Sequence, residues 1–543
     1  MGRKVGGAPY RGGGGAAGGP KAEQDGLVDD VVRQFSDPFA FYRELVQNAI
    51  DAGAGRIAVR IVHDDAEGLT KIAVEDDGSG MTEEVLTNDL TVLFKSTKEQ
   101  RDDAIGKFGI GFVSVLAIEP LLVAVDTSTG DGVRHRLELH PDHTWDLLRS
   151  EGEGRGTTVT LTVRVDAFAA FVNRSRAALE RWCRHARVPV TFAVHGGGGA
   201  DGEPERIDRP LALDDVLLEV AARSEDGRTE LVVGLPRGGA RGAFYNRGLL
   251  LFESRQALPR LGGISFKVMD GRLEHTLSRD DVRRDAHFAD VLERVERTVH
   301  GPLTALLHQR SAGLSSDAFA TLLEAACVAE LRLDPRALEV PLAHPIGARR
   351  SLPLAALPVL RCGPCDPELG EALAARSLPV VAFDALAHRA SLVELGRLGG
   401  REASAADALD TLVVPADDPL AALAPLLSTL AAAALRKPSA IAFARVIGRG
   451  AGRLGLGLAL DGPALLAPGE LDADPFRLAF RPPLVLNVGH PVARAARAAH
   501  GRGAAPAVLA AALVRALLAE RGAIARGAGA LTEAALRIVT EGP

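Results

Sequence analysis

Tyrosine, tryptophan and methionine are nearly missing from this chain, with three, two and three copies in 543 residues, and aromatics make up only 4% of it. Its cores must therefore be filled by Ala, Leu and Val, which the 47% hydrophobic content allows. Cysteine is as scarce: four in a chain this long exclude a disulfide framework. Long hydrophobic runs are lacking too. The longest apolar stretch, Pro419 to Leu435, is mostly Ala and Leu and is broken by Pro425, which suits packed helices and not a membrane span. No apolar h-region of a secretory signal stands near the start. A positive charge excess is also absent, since the formal net charge is −7. Such a chain is not built to coat nucleic acid, and its short arginine runs (347–350 and 492–497) read as solvated faces. A soluble, cytoplasmic protein without membrane contact is expected.

Glycine, in contrast, is plentiful at 59 residues. It dominates the first 26 positions, which are expected to be a disordered tail. A second glycine-rich polar stretch, Gly196 to Pro210, reads as a linker. Length alone suggests three or four domains. The expected division is 27–205, 206–312, 313–400 and 401–543, the last with apolar helical segments from Ala505 to Arg521 and Ala530 to Val539. His135, His140 and His143 have no ligand spacing. Cys362 and Cys365 form CGPC, a string shared with redox motifs. Arg361 precedes it where thioredoxins carry tryptophan, and no second cysteine pair exists to complete a zinc site, so an incidental turn is the favoured reading.

Three strings carry chemistry. FYRELVQNAIDAG (Phe41 to Gly53) places Glu44, Asn48 and Asp51 at i, i+4 and i+7, on one face of a helix. In EDDGSGM (Glu75 to Met81) an apolar strand runs into a carboxylate and two glycines, Gly78 and Gly80. Backbone can then approach a flat ligand that Asp76 grips by hydrogen bond. IGKFGIGF (Ile105 to Phe112) sets Gly106, Gly109 and Gly111 before an apolar segment, so bare N–H groups at a helix start would favour phosphate.

In this order the strings resemble the boxes of the GHKL ATPase superfamily, E…N..DA, DxGxG and GxxGxG; Gly156-Thr157, followed by the alternating strand Val159 to Val163, stands where a fourth element is found. The resemblance implies an ATP site with Mg²⁺. Glu44 would be the general base for the attacking water and Asn48 the Mg²⁺ ligand. Asp76 would accept from the adenine amino group, with Ala52, Gly78, Gly80, Met81 and Thr157 around the base and Asp51 bracing the pocket through water. Gly106, Lys107, Phe108, Gly109, Ile110, Gly111 and Phe112 would form the phosphate loop. Thr82 to Ala104 would be a mobile lid, with Lys95 as a phosphate contact. Asp89 departs from the family, where asparagine is usual, and an extra negative charge there would weaken ATP binding.

HTLSRDDVRRD (His275 to Asp285) is similar to the Hsp90 middle-domain segment whose arginine reaches the γ-phosphate, which makes Arg279 the second catalytic candidate. SRDD also reads as a helix start with Ser278 as N-cap, and both can hold. The resemblance to Hsp90, in its bacterial and divergent branches, covers residues 27 to about 300, with an echo at Leu484 to Ala496. It implies an α+β multidomain fold: an N-terminal Bergerat-type ATPase α/β sandwich, an α/β middle domain of ribosomal-S5-like type, and a mostly helical C-terminal dimerisation region. The implied function is a homodimeric, stress-related chaperone that hydrolyses ATP slowly and closes on unfolded or partly folded client proteins. The alternative is a DNA-processing GHKL ATPase of MutL, MORC or topoisomerase type. Against it stand Arg279, in place of the lysine usual there, and the lack of a basic groove or nuclease motif.

Overall fold

The apolar run Lys71 to Val74 and the alternation of Val159 to Val163 predict strands with one face in a core, and that is how they lie. The computed structural model describes residues 10–12, 37–91, 109–142, 144–196, 203–254, 261–276, 281–357, 359–362, 370, 373–374, 377–404, 411–466, 476 and 483–541. The chain divides into two units, Met1–Leu303 and Thr304–Pro543.

The first unit opens with β1 (Tyr10–Gly12), α1 (Phe41–Asp51), β2 (Ile57–Asp64), β3 (Leu69–Asp76) and α2 (Gly109–Val113). β4 (Leu122–Thr129), β5 (Val133–Leu139), β6 (Trp145–Glu151), β7 (Arg155–Arg164), α3 (Phe168–Cys183), β8 (Val190–His195) and β9 (Glu205–Arg206) follow. The strands form one nine-stranded sheet in the order β1-β6-β5-β4-β7-β3-β2-β8-β9. Ile72 and Val74 of β3 and Val159, Leu161 and Val163 of β7 all point into its core. The amphipathic α3 buries Ser175, Ala178, Leu179 and Trp182 at helical spacing. The few aromatics are concentrated here. Phe39, Phe41, Tyr42, Phe112, Trp145, Trp182 and Phe192 share this core.

Two expectations are corrected at the sheet's edges. Tyr10–Gly12, within the tail expected to be disordered, pairs antiparallel with β6. An edge strand presents a row of unpaired backbone groups, and a glycine-rich segment can add to it through backbone alone. Within the presumed linker, Glu205–Arg206 pairs with β8, so the sheet continues past His195; residues 197–202 lie outside the described residues.

A second sheet in this unit has the order β10-β11-β14-β12-β13. Its strands are β10 (Val216–Arg223), β11 (Thr229–Pro236), β12 (Gly242–Asn246), β13 (Leu249–Ser254) and β14 (Ser265–Asp270). α4 (Ala286–Thr298) packs on β11 and β14. Its N-cap is Asp285, whose carboxylate accepts from the N–H groups of His287 and Phe288, both at 3.0 Å. Tyr245, Leu249, Leu250 and Met269 of this second sheet belong to the same core as the nine-stranded sheet. The two sheets are thus welded by apolar contact.

The second unit begins with α5 (Thr304–Ser311) and α6 (Ser316–Val328), then the antiparallel pair β15 (Glu339–Ile346) and β16 (Arg349–Pro353). β17 (Val359–Cys362), α7 (Arg389–Arg397) and β18 (Arg401–Ser404) follow, with β17 and β18 parallel. Beyond them lie β19 (Thr411–Pro415), α8 (Ala424–Ala434), β20 (Ile441–Gly448), β21 (Gly455–Gly457), β22 (Ala464–Leu466), β23 (Leu484–Asn487), α9 (Pro491–Gly501), α10 (Pro506–Glu520) and α11 (Ile524–Glu541). The expected helices are present, and a five-stranded sheet β21-β23-β20-β19-β22, which the sequence reading did not expect, lies beside them. Short strands such as TLVVP and IAFARVIG sit in Ala- and Leu-rich surroundings that hide their period. Among the described residues no helix is long and apolar enough to cross a membrane.

Asn487 holds this last sheet to its connections. Its buried amide donates to the carbonyls of Ala451 and Arg453, each at 3.0 Å, and accepts from the N–H groups of Val446 (3.2 Å) and Gly489 (2.9 Å). Asn487→Ala leaves four backbone groups without this partner and should destabilise the second unit by about 3 kcal/mol. Denaturant unfolding checks this; a loss below roughly 0.5 kcal/mol would contradict it.

Candidate functional site

The site is built around α1. Asp37 caps the turn that leads into it, accepting from the Phe39 N–H at 2.9 Å. Phe41, Tyr42, Leu45, Val46 and Ala49 bury one side of the helix. Glu44, Asn48 and Asp51 follow the helix from core to surface: Glu44 is 5% exposed, whereas Asn48 and Asp51 are exposed. Neighbouring side chains on a helix ordinarily point apart. Arg43 nevertheless bends onto Glu44, donating to Oε1 from Nη2 at 2.9 Å and from Nε at 3.2 Å. Both groups are buried, and a buried charge persists only when paired. This pairing was not legible in the sequence. Asp51 accepts from Gln47 Nε2 at 3.0 Å and pairs with Arg247 of the second sheet.

Asp76 ends β3 directly across from Thr157 of β7. Its Oδ1 accepts from the Gly78 N–H at 2.8 Å, and the Thr157 N–H also donates to it. Burial nonetheless pushes the Asp76 carboxyl above its ordinary value, the largest effect on it, with the neighbouring carboxylates of Asp77 and Glu75 adding to the rise. The crossing is tight at Gly156, where φ is +122° and a Cβ would stand 2.1 Å from the Asp76 carbonyl oxygen.

The rest of EDDGSGM is fastened on both sides. The Ser79 N–H donates to the Ala52 carbonyl at 2.9 Å, and a Cβ at Gly78 would come within 2.8 Å of that of Ala52. Gly80 lies against the Ser128 carbonyl. The Met81 N–H donates to Thr127 Oγ1 at 2.9 Å, and that hydroxyl is 3.0 Å from the hydroxyl of Thr157. Asp77 accepts from the N–H groups of Gly55 (2.6 Å) and Arg56 (3.0 Å), and these bonds hold its carboxyl below the ordinary range. Arg155 Nε donates to the Gly78 carbonyl at 3.1 Å. Thr127, Asp77 and Arg155 were missed by sequence reasoning: Thr127 and Arg155 act from strands with no motif of their own, and Asp77, inside EDDGSGM, bonds to backbone twenty-odd residues earlier.

Of the third string, Gly109 to Phe112 form α2, with Phe112 buried, and α2 packs on α1. Gly106, Lys107 and Phe108 lie outside the described residues. So do Lys95 of the lid, His143, Cys365, and Ser278 with Arg279. Asp89 is in the described turn Leu86–Leu90, within the segment expected to be a lid. At CGPC, Cys362 ends β17, and burial pushes its thiol up, the reverse of an activated thiol. Among the described residues no cluster of His, Cys, Asp and Glu could hold a metal ion.

The residues brought together suit a nucleoside. A half-buried carboxylate that lacks solvent gains most from a donor, and glycines strip side chains from the backbone beside it. Mg²⁺ fits in a narrower sense: Asn48 offers one exposed amide oxygen, which suffices for an ion that takes its remaining ligands from phosphates and water.

Residues 40–146 match the family described as histidine kinase-, DNA gyrase B-, and HSP90-like ATPase. The chain is 29% identical over 226 residues to the chaperone protein HtpG of Rhodospirillum rubrum, covering 36% of this chain and 35% of that protein. It is 32% identical over 208 residues to HtpG of Chlorobium phaeobacteroides, covering 33% and 32%. To the DNA mismatch repair protein MutL of Sphingopyxis alaskensis it is 33% identical over 241 residues, covering 39% and 37%. The matched part thus spans about a third of the length of these relatives. Residues 40–146 thus form a domain similar to the histidine kinase-, DNA gyrase B-, and HSP90-like ATPases, and both HtpG chaperones and a MutL protein are among its relatives.

Proposed function

We propose that this protein is an Hsp90-like, ATP-hydrolysing molecular chaperone. The observation that carries the ATP reading is Asp76, half-buried at the end of β3 opposite Thr157 and flanked by backbone that glycine leaves bare. In this reading Asp76 accepts from the adenine amino group, with Ala52, Gly78, Gly80, Met81 and Thr157 around the base. Glu44 orients and deprotonates the attacking water, which requires Arg43 to share or release it. Asn48 holds Mg²⁺, which when bound neutralises phosphate charge. The segment from Gly106 to Phe112 cradles the phosphates, and Arg279 supplies a guanidinium to the transferred phosphoryl group. The lid from Thr82 to Ala104 closes over the nucleotide, with Lys95 as a phosphate contact, and closure makes hydrolysis slow.

The similarity to proteins named chaperone protein HtpG supports the chaperone part of this reading. In it the partners are client proteins, the chain is a homodimer joined through 401–543, and it works in the cytoplasm in stress and protein folding. Residues 27–205 and 206–312 act in this reading as nucleotide and middle domains, with 313–400 a second middle subdomain. The match to MutL supports a second reading, an ATPase acting on DNA. Duplex DNA separates the two: an unchanged ATPase rate fits the chaperone, and stimulation would favour the DNA-processing machine.

Glu44→Ala should keep ATP affinity within about threefold of wild type and lower turnover by roughly 10²-fold or more, the usual range for a lost general base. Asp76→Asn should bind ATP too weakly to saturate. Calorimetric titration beside steady-state kinetics checks both, and equal affinity in wild type and Asp76→Asn would sink the adenine assignment.

The raised Asp76 pKa also sets a pH dependence. Protonated Asp76 cannot accept from adenine, so nucleotide affinity should fall as pH drops through its titration, which lies above the ordinary aspartate value of about 3.9. For folding the sign is opposite: a raised carboxyl favours the folded state below the unfolded value, and that contribution is lost as pH rises through the folded one. ATP titrations between about pH 4.5 and 8 test the first effect, and a flat profile would contradict it.

A further inference from the structure

The turn between β12 and β13, Asn246-Arg247-Gly248, is held from two sides. Asn246 Nδ2 donates to the carbonyls of Leu273 (2.8 Å) and Gly271 (3.4 Å), in the turn that follows β14. Gly248, at φ +91°, presses on the nucleotide sheet's side of the unit, where a Cβ would stand 2.0 Å from the His185 carbonyl oxygen. Between these anchors Arg247 takes a left-handed backbone conformation, φ +49°, uncommon for a non-glycine residue. Its guanidinium pairs with Asp51 Oδ1 at the last turn of α1, while Gln47 occupies Oδ2.

Two features make this pair more than surface decoration. A carboxylate at a helix C-terminus opposes the helix dipole, and α1 has no basic residue in its own last turn to offset it. The cation comes instead from a residue 196 positions away in the other sheet. Moreover both partners are partly exposed, so the pair adds little to stability. What it fixes is position. Asp51 lies three residues beyond Asn48 and seven beyond Glu44 on the same helix, so a restraint on Asp51 limits how the whole face can rotate.

We propose that Arg247 is a positioning residue for nucleotide turnover: through Asp51 it ties the second sheet to the helix face that carries Glu44 and Asn48. The proposal rests on the ATPase reading above. In that setting the Asn246-Arg247-Gly248 turn is a direct mechanical link by which a displacement of the second sheet reaches α1. The shared apolar core keeps the two sheets together, and the ion pair sets the angle of the helix end.

The test is a double-mutant cycle in the full chain, comparing Arg247→Ala, Arg247→Lys, Asp51→Asn and Asp51→Asn/Arg247→Ala. kcat and KM for ATP would be measured beside hydrogen exchange of the peptide covering residues 41–53. Arg247→Ala should lower kcat on the order of fivefold to tenfold, within the range of ordinary coupling between sites, while KM moves less than about twofold. It should speed exchange in 41–53 without changing the unfolding midpoint. Arg247→Lys should recover most of the rate. In the Asp51→Asn background Arg247→Ala should have no further effect on either readout. Additive effects, or an unchanged rate and unchanged exchange in Arg247→Ala, would overturn the proposal. A wild type that does not hydrolyse ATP would remove the ATPase reading, and with it the turnover role. The exchange cycle would then show separately whether Arg247 restrains α1.

Discussion

The crossing of β3 and β7 at Asp76 and Thr157 is the constraint on which the rest of the first unit depends. The register between these strands puts a carboxylate at the point where β3 leaves the sheet, and backbone N–H groups hold it there. Everything else in the site is fastened to that corner. Ala52, at the end of α1, bonds to Ser79; Asp77 returns the favour to Gly55 and Arg56; Thr127 on β4 receives Met81. Helix α1 and the glycine turn therefore form one body. The carboxylate stays short of solvent, and burial raises its pKa, so a donor from a polar ligand group would be strongly favoured there.

A second level of organisation joins this corner to the neighbouring sheet. Tyr245, Leu249, Leu250 and Met269 complete a core that begins in the nine-stranded sheet, so the two sheets do not meet through a loose, polar contact. Around that apolar joint lie charged groups. Arg184 donates to Asp214 at 2.7 Å and 3.1 Å, and Lys267 approaches His185 at 3.1 Å. Burial pushes the His185 imidazole down to about 4, so it stays neutral beside the Lys267 ammonium near neutral pH. Burial also lowers Lys267, partly offset by Asp214. Apolar area supplies the adhesion and the polar rim supplies the register, the division of labour seen in other protein interfaces.

Much of this corner was legible in the sequence, because its signals are local. The spacing of Glu44, Asn48 and Asp51 survives as a helix, the apolar run before Asp76 survives as β3, and the alternation after Thr157 survives as β7. What escaped were pairings with no local signature. Arg43 and Glu44 are adjacent, a spacing that ordinarily separates side chains on a helix. Arg247 finds Asp51 only because two sheets share a core. Tyr10–Gly12 carries a composition that signals disorder, yet an open sheet edge asks for backbone and not for side chains. In the second unit, Ala and Leu serve strands and helices alike, so the sheet around Asn487 left little trace in hydrophobic periodicity.

The central claim is that Asp76 reads the base of a bound nucleotide. An experimental structure of the full chain with ADP and Mg²⁺ tests it most directly. The account predicts the adenine amino group donating to the Asp76 carboxylate, with the base lying beside Thr157 and Met81 and the phosphates extending along α1. A nucleotide bound elsewhere, or an Asp76 carboxylate left without a contact to the base, would contradict it.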